Sequence, residues 1–297
     1  MILQEDSVKN VQLTTQVYLK PEYQIHPFVS GNKFRKLKYN IEYFQRGNFD
    51  SILTFGGAFS NHIAATAAAG NALNIPTIGL IRGQELAQKL EMNPTLNFAK
   101  SCGMKFKFIS RELYRTKDSD NFLKELKQNY PYAYIIPEGG TNELAVKGCE
   151  EILTESDEQF DVICCAVGTG GTISGLINSS LPHQKIIGFP ALKGSFLSQD
   201  IRKFVKQTNW ELCHNYHFGG YAKVDSELID FMNSFKQNFG ISLDPIYTGK
   251  MMYGIFDLLK KGFFSKTAKI LVLHTGGLQS IAGMNQRLLK QQRGLIK

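Results

Sequence analysis

No apolar run in the 297-residue chain approaches the ~18 residues that a membrane-crossing helix needs. The first ten residues, MILQEDSVKN, lack the layout of a secretory signal. Cysteine is scarce and badly arranged for disulfides. Five occur, an odd number with no CxxC pair, and Cys164-Cys165 sits inside an apolar run. They read as buried thiols of a reducing compartment. There is no metal-ligand spacing, no Ser/His/Asp order, no internal repeat and no low-complexity linker. These absences lead to the expectation of a cytoplasmic protein without a metal or a membrane partner.

The charge balance is +8, which raises nucleic acid as a partner. The basic residues, however, are spread along the chain, and the longest cluster, 287–297, is a C-terminal tail. No zinc-finger spacing or RNA-binding aromatic signature accompanies them, and attraction of small anions explains the balance as well. A hydrophobic share of 43% and a charged share of 20% describe an ordinary globular protein with a sizeable core.

What the chain does have is rhythm. Short apolar runs at 51–55, 75–81, 105–109, 132–137, 160–167, 185–189 and 269–273 read as strands. Helical patterns fill the intervals at 37–44, 62–70, 93–101, 121–128, 143–154, 171–177, 197–207, 224–239, 251–261 and 278–290. Residues 1–30 are mixed and broken by Pro21 and Pro27, and 208–224 reads as a loop. Strand and helix in alternation predict an α/β fold, each domain a mostly parallel sheet flanked by helices. The expected division is a large domain of residues 1–45 and 147–297 around a small one of 46–146.

Several strands run straight into glycine loops. Gly168-Thr169-Gly170-Gly171-Thr172 follows the apolar strand FDVICCAV and opens a helix. Such a loop lets backbone amides, hydroxyls and a helix N-terminus converge on a phosphate. A tight strand-to-helix turn is the plainer reading. No Gly-Lys-Ser/Thr follows, so it is no Walker loop, and no acidic residue after Phe189 completes a dinucleotide fingerprint. In Gly56-Gly57-Ala58-Phe59-Ser60-Asn61, Ser60 is either a simple helix cap or part of a carboxylate cradle. Tyr221 and Tyr247 lie on glycine-flanked loops, and His274 ends a strand. The stretch Ser30-Gly31-Asn32-Lys33-Phe34-Arg35-Lys36 places two lysines one turn apart after a turn signal. Either it is a solvated basic helix start, or one amine is desolvated and nucleophilic.

Six stretches, in order, are SGNKFRKLKY, FGGAFSNHIAATAAAG, PEGGTNELAVKGCEE, VGTGGTISGL, DPIYTGK and HTGG. By them the chain resembles the two-domain fold-type-II pyridoxal phosphate enzymes, which are tryptophan synthase β-like. Within these it looks like the group containing 1-aminocyclopropane-1-carboxylate deaminase and D-cysteine desulfhydrase. Two departures are a somewhat shorter chain and Ser30-Gly31 where Gly-Gly is usual.

The resemblance implies pyridoxal 5′-phosphate as cofactor, a small amino acid as substrate and a homodimer. It implies Lys33 as the Schiff-base lysine and Lys36 as a second basic group beside the cofactor. Asn61 would bond the cofactor's phenolic oxygen. Ser60 with the amides of Asn61 and His62 would hold the substrate carboxylate. Gly168, Thr169, Gly170, Gly171 and Thr172 would hold the phosphate. Tyr221 and Tyr247 would face the substrate, Tyr247 as a candidate acid, and Thr248 would sit opposite the pyridine nitrogen. Deaminases of the group carry glutamate at the Thr248 position and leucine at the Thr275 position, while desulfhydrases carry smaller polar residues at both. A neutral hydroxyl supports the protonated ring less than a carboxylate does, which suits β-elimination of a thiol better than ring opening. The expectation is therefore D-cysteine desulfhydration to pyruvate, hydrogen sulfide and ammonia. The alternatives are cyclopropane-amino-acid deamination to 2-oxobutanoate, and a non-enzymatic basic α/β scaffold that binds a nucleotide or nucleic acid.

Overall fold

A computed structural model describes residues 3–194 and 196–297. Its strands are β1 (Val11–Gln12), β2 (Val17–Lys20), β3 (Ser51–Gly56), β4 (Thr77–Arg82), β5 (Lys105–Ile109), β6 (Ala133–Ile136), β7 (Val162–Val167), β8 (Lys185–Pro190), β9 (Trp210–Leu212) and β10 (Ile270–Leu273). Its helices are α1 (Asn32–Arg46), α2 (Asn61–Leu73), α3 (Pro94–Ser101), α4 (Arg111–Arg115), α5 (Asp120–Asn129), α6 (Glu143–Glu150), α7 (Gly171–Ser179), α8 (Phe196–Arg202), α9 (Ser226–Phe239), α10 (Thr248–Lys260) and α11 (Ser280–Lys290).

Two sheets result. The larger runs β1-β2-β10-β7-β8-β9 and is parallel except for the β1–β2 pair; the smaller runs β5-β4-β3-β6 and is parallel throughout. β7 shows why its sequence is continuously apolar. Val162, Cys164 and Ala166 face one core, while Ile163, Cys165 and Val167 face the other, so both sides of the strand are buried. β10 alternates in the same way between the two cores. The five cysteines are all unpaired thiols. Helix α1 connects the sheets: Phe34, Leu37, Ile41 and Phe44 pack with Ile52, Ala65 and Ile136 of the small-sheet side. Among the described residues no helix is long and apolar enough to cross a membrane, and no cluster of His, Cys, Asp and Glu could hold a metal ion.

Five stretches differ from the sequence reading. Val17–Lys20, inside the region read as mixed, pairs in parallel with β10 and buries Val17 and Leu19 completely. Trp210–Leu212 is a short edge strand on β8 rather than a loop; three residues are too few to show a period. Helix α6 stops at Glu150, four residues early, and α8 stops at Arg202, five early. Past α6, Thr154 and Asp157 close their own capping box, with the Asp157 carboxylate accepting from the Thr154 amide at 3.0 Å. Helix α10 begins at Thr248 instead of Met251, and Asp244 satisfies the amides leading into it. The Asp244 carboxylate accepts from the amides of Ile246, Tyr247 and Thr248 at 2.9, 2.8 and 2.8 Å.

A lysine pair in a cavity between two sheets

The carboxyl ends of β3, β4, β6, β7 and β10 converge on a cavity of about 250 Å³. This is where ligands sit in parallel α/β sheets. Gly31 sets the entry of α1. Its φ of 61° is left-handed, and a Cβ there would come within 1.9 Å of the Thr275 carbonyl oxygen. The loop after β10 is thereby locked against the start of the helix that carries both lysines.

Lys33 is the second residue of α1 and points its Nζ at the Gly139 carbonyl oxygen, 3.1 Å away. Lys36, one turn on, reaches the same oxygen at 3.0 Å and donates to Thr141 Oγ1 at 2.8 Å and Thr169 Oγ1 at 3.4 Å. Desolvation, and then the neighbouring Lys36 charge, hold the Lys33 amine well below its ordinary value. Burial brings Lys36 down to about 8. Both amines therefore give up a proton more readily than an ordinary lysine, with Lys36 still mostly charged at neutral pH.

The loop after β7 closes the other side. The Thr169 and Thr141 hydroxyls meet at 2.5 Å, and Asn32 Nδ2 donates to Thr172 Oγ1 at 2.7 Å. Gly170 caps α7 at a φ of 87°, and a Cβ on Gly171 would lie 3.0 Å from Lys36 Nζ. Gly168, Thr169, Gly170 and Thr172 all line the cavity. Backbone amides, three threonine hydroxyls and one ammonium thus converge on a space suited to a phosphate.

Ser60, Asn61 and His62 begin α2 on the facing wall. Ser60 is the helix cap of the plainer reading, accepting from the Ile63 amide at 3.2 Å, and it also lines the cavity. Asn61 accepts from Gln279 Nε2 at 2.5 Å. His62 is buried with its Nε2 2.8 Å from Thr54 Oγ1. Thr54 itself donates to the Ile136 carbonyl at 2.9 Å, so His62 carries its proton on Nε2. Its Nδ1 is then a buried acceptor with no hydrogen-bond partner among the described residues. Burial and the two lysine charges push this imidazole well below its ordinary value, so it is neutral.

Tyr221 and Tyr247 form a wall as an edge-on pair, their ring centres 6.3 Å apart. Burial raises both phenols, so each is protonated at neutral pH. Thr275 lines the cavity. Thr248 does not line it: its hydroxyl is fully buried, donates to Asp244 Oδ2 at 2.7 Å and accepts from the Asp244 amide at 2.9 Å. His274 keeps a structural role, with Nε2 2.8 Å from the Ser242 carbonyl and Nδ1 accepting from the Gly276 amide at 3.2 Å.

The sequence reading missed Asn32, Arg82, Glu138, Gly139 and Thr141 as site residues. All but Thr141 line the cavity, and Thr141 touches it through Lys36. The signal for the last three was present, since Glu138-Gly139-Gly140-Thr141 ends a strand in paired glycines as the other site loops do.

Comparison with known proteins matches residues 7–276 to a family model described as pyridoxal-phosphate dependent enzyme. A putative 1-aminocyclopropane-1-carboxylate deaminase of Pyrococcus horikoshii is 30% identical, over 94% of this chain and 89% of the relative. A bifunctional D-cysteine desulfhydrase/1-aminocyclopropane-1-carboxylate deaminase, mitochondrial, of Arabidopsis thaliana is 31% identical over 89% of this chain and 73% of the relative. A crystal structure titled as an ACC deaminase homologue superposes with a TM-score of 0.80 at 29% identity, covering 92% of this chain and 88% of that one.

Proposed function

The chain belongs to the fold-type-II pyridoxal-phosphate dependent enzymes, alongside 1-aminocyclopropane-1-carboxylate deaminase homologues, and from that premise we propose that it is a lyase acting on D-cysteine. The residues present suit the cofactor. A depressed amine at Lys33 can take the aldehyde covalently. Lys36, Thr141, Thr169, Thr172 and the amides of Gly170 and Gly171 offer one cation, three hydroxyls and a helix N-terminus to its phosphate. When bound, pyridoxal phosphate supplies an electron sink for charge that develops on the substrate's Cα.

The protein's share is binding and proton handling. Ser60 and the first amides of α2 orient the substrate carboxylate, with the helix dipole assisting. Lys33 would serve as the base for the Cα proton. Tyr247, protonated and close to Gly168, positions the reacting end and can return a proton to a leaving sulfur. Tyr221 and Tyr247 shield that end from water.

The observation that carries the choice of D-cysteine is the pair Thr248 and Thr275. No acidic side chain stands at the Thr248 position, and the Thr248 hydroxyl is spent on Asp244. Thr275 adds a polar group to the cavity wall. A second reading, ring opening of 1-aminocyclopropane-1-carboxylate to 2-oxobutanoate and ammonia, draws support from the names of the archaeal relatives. Purified protein supplied with pyridoxal phosphate should release sulfide and pyruvate from D-cysteine and should release much less 2-oxobutanoate from the cyclopropane amino acid. The reverse ranking replaces the first reading with the second.

A further inference from the structure

Among the described residues the cavity is lined by three cationic side chains, Lys33, Lys36 and Arg82, and one carboxylate, Glu138. Glu138 is already engaged: Oε1 accepts from Tyr114 Oη at 2.7 Å, and Oε2 pairs with Lys117 at 3.3 Å. Arg82 ends β4 and is half-buried. Its guanidinium lies over the Tyr114 ring at 5.6 Å and runs beside the backbone at Gly57, where an added Cβ would be 3.3 Å from Nη2. Among the described residues it forms no ion pair with a carboxylate. The proposed function gives the cofactor phosphate to Lys36 and the substrate α-carboxylate to Ser60 and α2, which leaves Arg82 without a task.

We propose that Arg82 recognises a second anionic group on the substrate, so that the preferred class is a D-amino acid whose β-substituent ends in a carboxylate or sulfonate. This rests on the reading of the site as a D-amino acid lyase; D-cysteine, which lacks the second anion, remains a substrate but ranks below the anionic class. A guanidinium is always charged, weakly hydrated and forked to match an oxyanion. Tyr114 covers one face of the group, and Arg82 lines the cavity beside it.

Calorimetry on the pyridoxal phosphate-loaded protein tests this with D-aspartate and D-alanine, which differ by the second carboxylate and carry no leaving group. The parent should bind D-aspartate ~10-fold or more tighter than D-alanine. The affinity ratio should fall to about one in Arg82→Gln and stay between the two in Arg82→Lys, which keeps the charge. A ratio near one in the parent, or a ratio that survives Arg82→Gln, overturns the proposal. If Arg82→Gln weakens both ligands equally, the guanidinium serves the shared α-carboxylate and the proposal is again overturned. Protein that takes up no cofactor overturns the lyase reading along with this one, whereas loaded protein with no preference overturns this one alone.

Discussion

Lys33 and Lys36 share one acceptor, the carbonyl oxygen of Gly139, at 3.1 and 3.0 Å. Two amines forced onto one oxygen in a desolvated space cannot both be comfortably charged. The proposed roles are covalent chemistry for Lys33 and the holding of an anion for Lys36, which is bonded to two threonine hydroxyls.

Separate substitutions should split these roles. Lys33→Ala is expected to reduce turnover on the order of 10³-fold or more while the phosphate cradle stays intact. Lys36→Ala should chiefly weaken pyridoxal phosphate binding, by ~10- to 100-fold, the range of one lost charge-assisted hydrogen bond. Turnover at saturating cofactor and a cofactor titration separate the two outcomes.

The same depressed amine predicts a pH signature in the cofactor-free protein. Lys36 sits at about 8 when folded, against an ordinary 10.5. Between those values the unfolded chain binds the extra proton, so the stability contributed by this group rises with pH through that window. Below about pH 8 the penalty for charging it is fully present. Lys36→Met should therefore be more stable than the parent at pH 7, by about 1–3 kcal/mol, and should lose the advantage near pH 10.5. Urea midpoints at the two pH values provide the check.

Thr248 presents a different case. Thr248→Val keeps the shape but removes the donor to the Asp244 carboxylate and the acceptor for the Asp244 amide, both buried. A loss of about 1–3 kcal/mol in unfolding free energy is expected, with the spectrum of bound cofactor unchanged. Unchanged stability together with a shifted spectrum would mean that the hydroxyl serves the cofactor instead.

Lys250 holds the loop that carries Tyr221. Its buried Nζ donates to the carbonyls of His217 at 2.9 Å and Gly220 at 2.7 Å. Lys250→Met should release that loop, raise KM roughly tenfold or more through misplacement of Tyr221, and speed limited proteolysis between residues 217 and 223. An unaltered KM would separate the lysine from the site.

Much of this was legible in the chain. Continuous apolar runs announced β7 and β10, and the glycine loops after strands marked the cavity's rim, because a parallel sheet must bury both faces and keeps its ligands at its carboxyl end. β2 and β9 were not legible, since three or four residues show no period and their strand character comes from the neighbour they pair with. Arg82 escaped notice as one charge at the end of an ordinary strand. Its place in the cavity depends on how β4 lies beside β3, which no local pattern encodes. Thr248 was legible as a residue but not in its orientation, because only the folded loop shows Asp244 beneath it.

Lys33, and not Lys36, is the proposed covalent anchor. Protein mixed with pyridoxal phosphate, reduced with borohydride, digested and mapped by mass spectrometry tests it directly. A single stoichiometric label on Lys33, absent in Lys33→Ala, is expected; a label on Lys36 instead, or on neither lysine, would rule this assignment out.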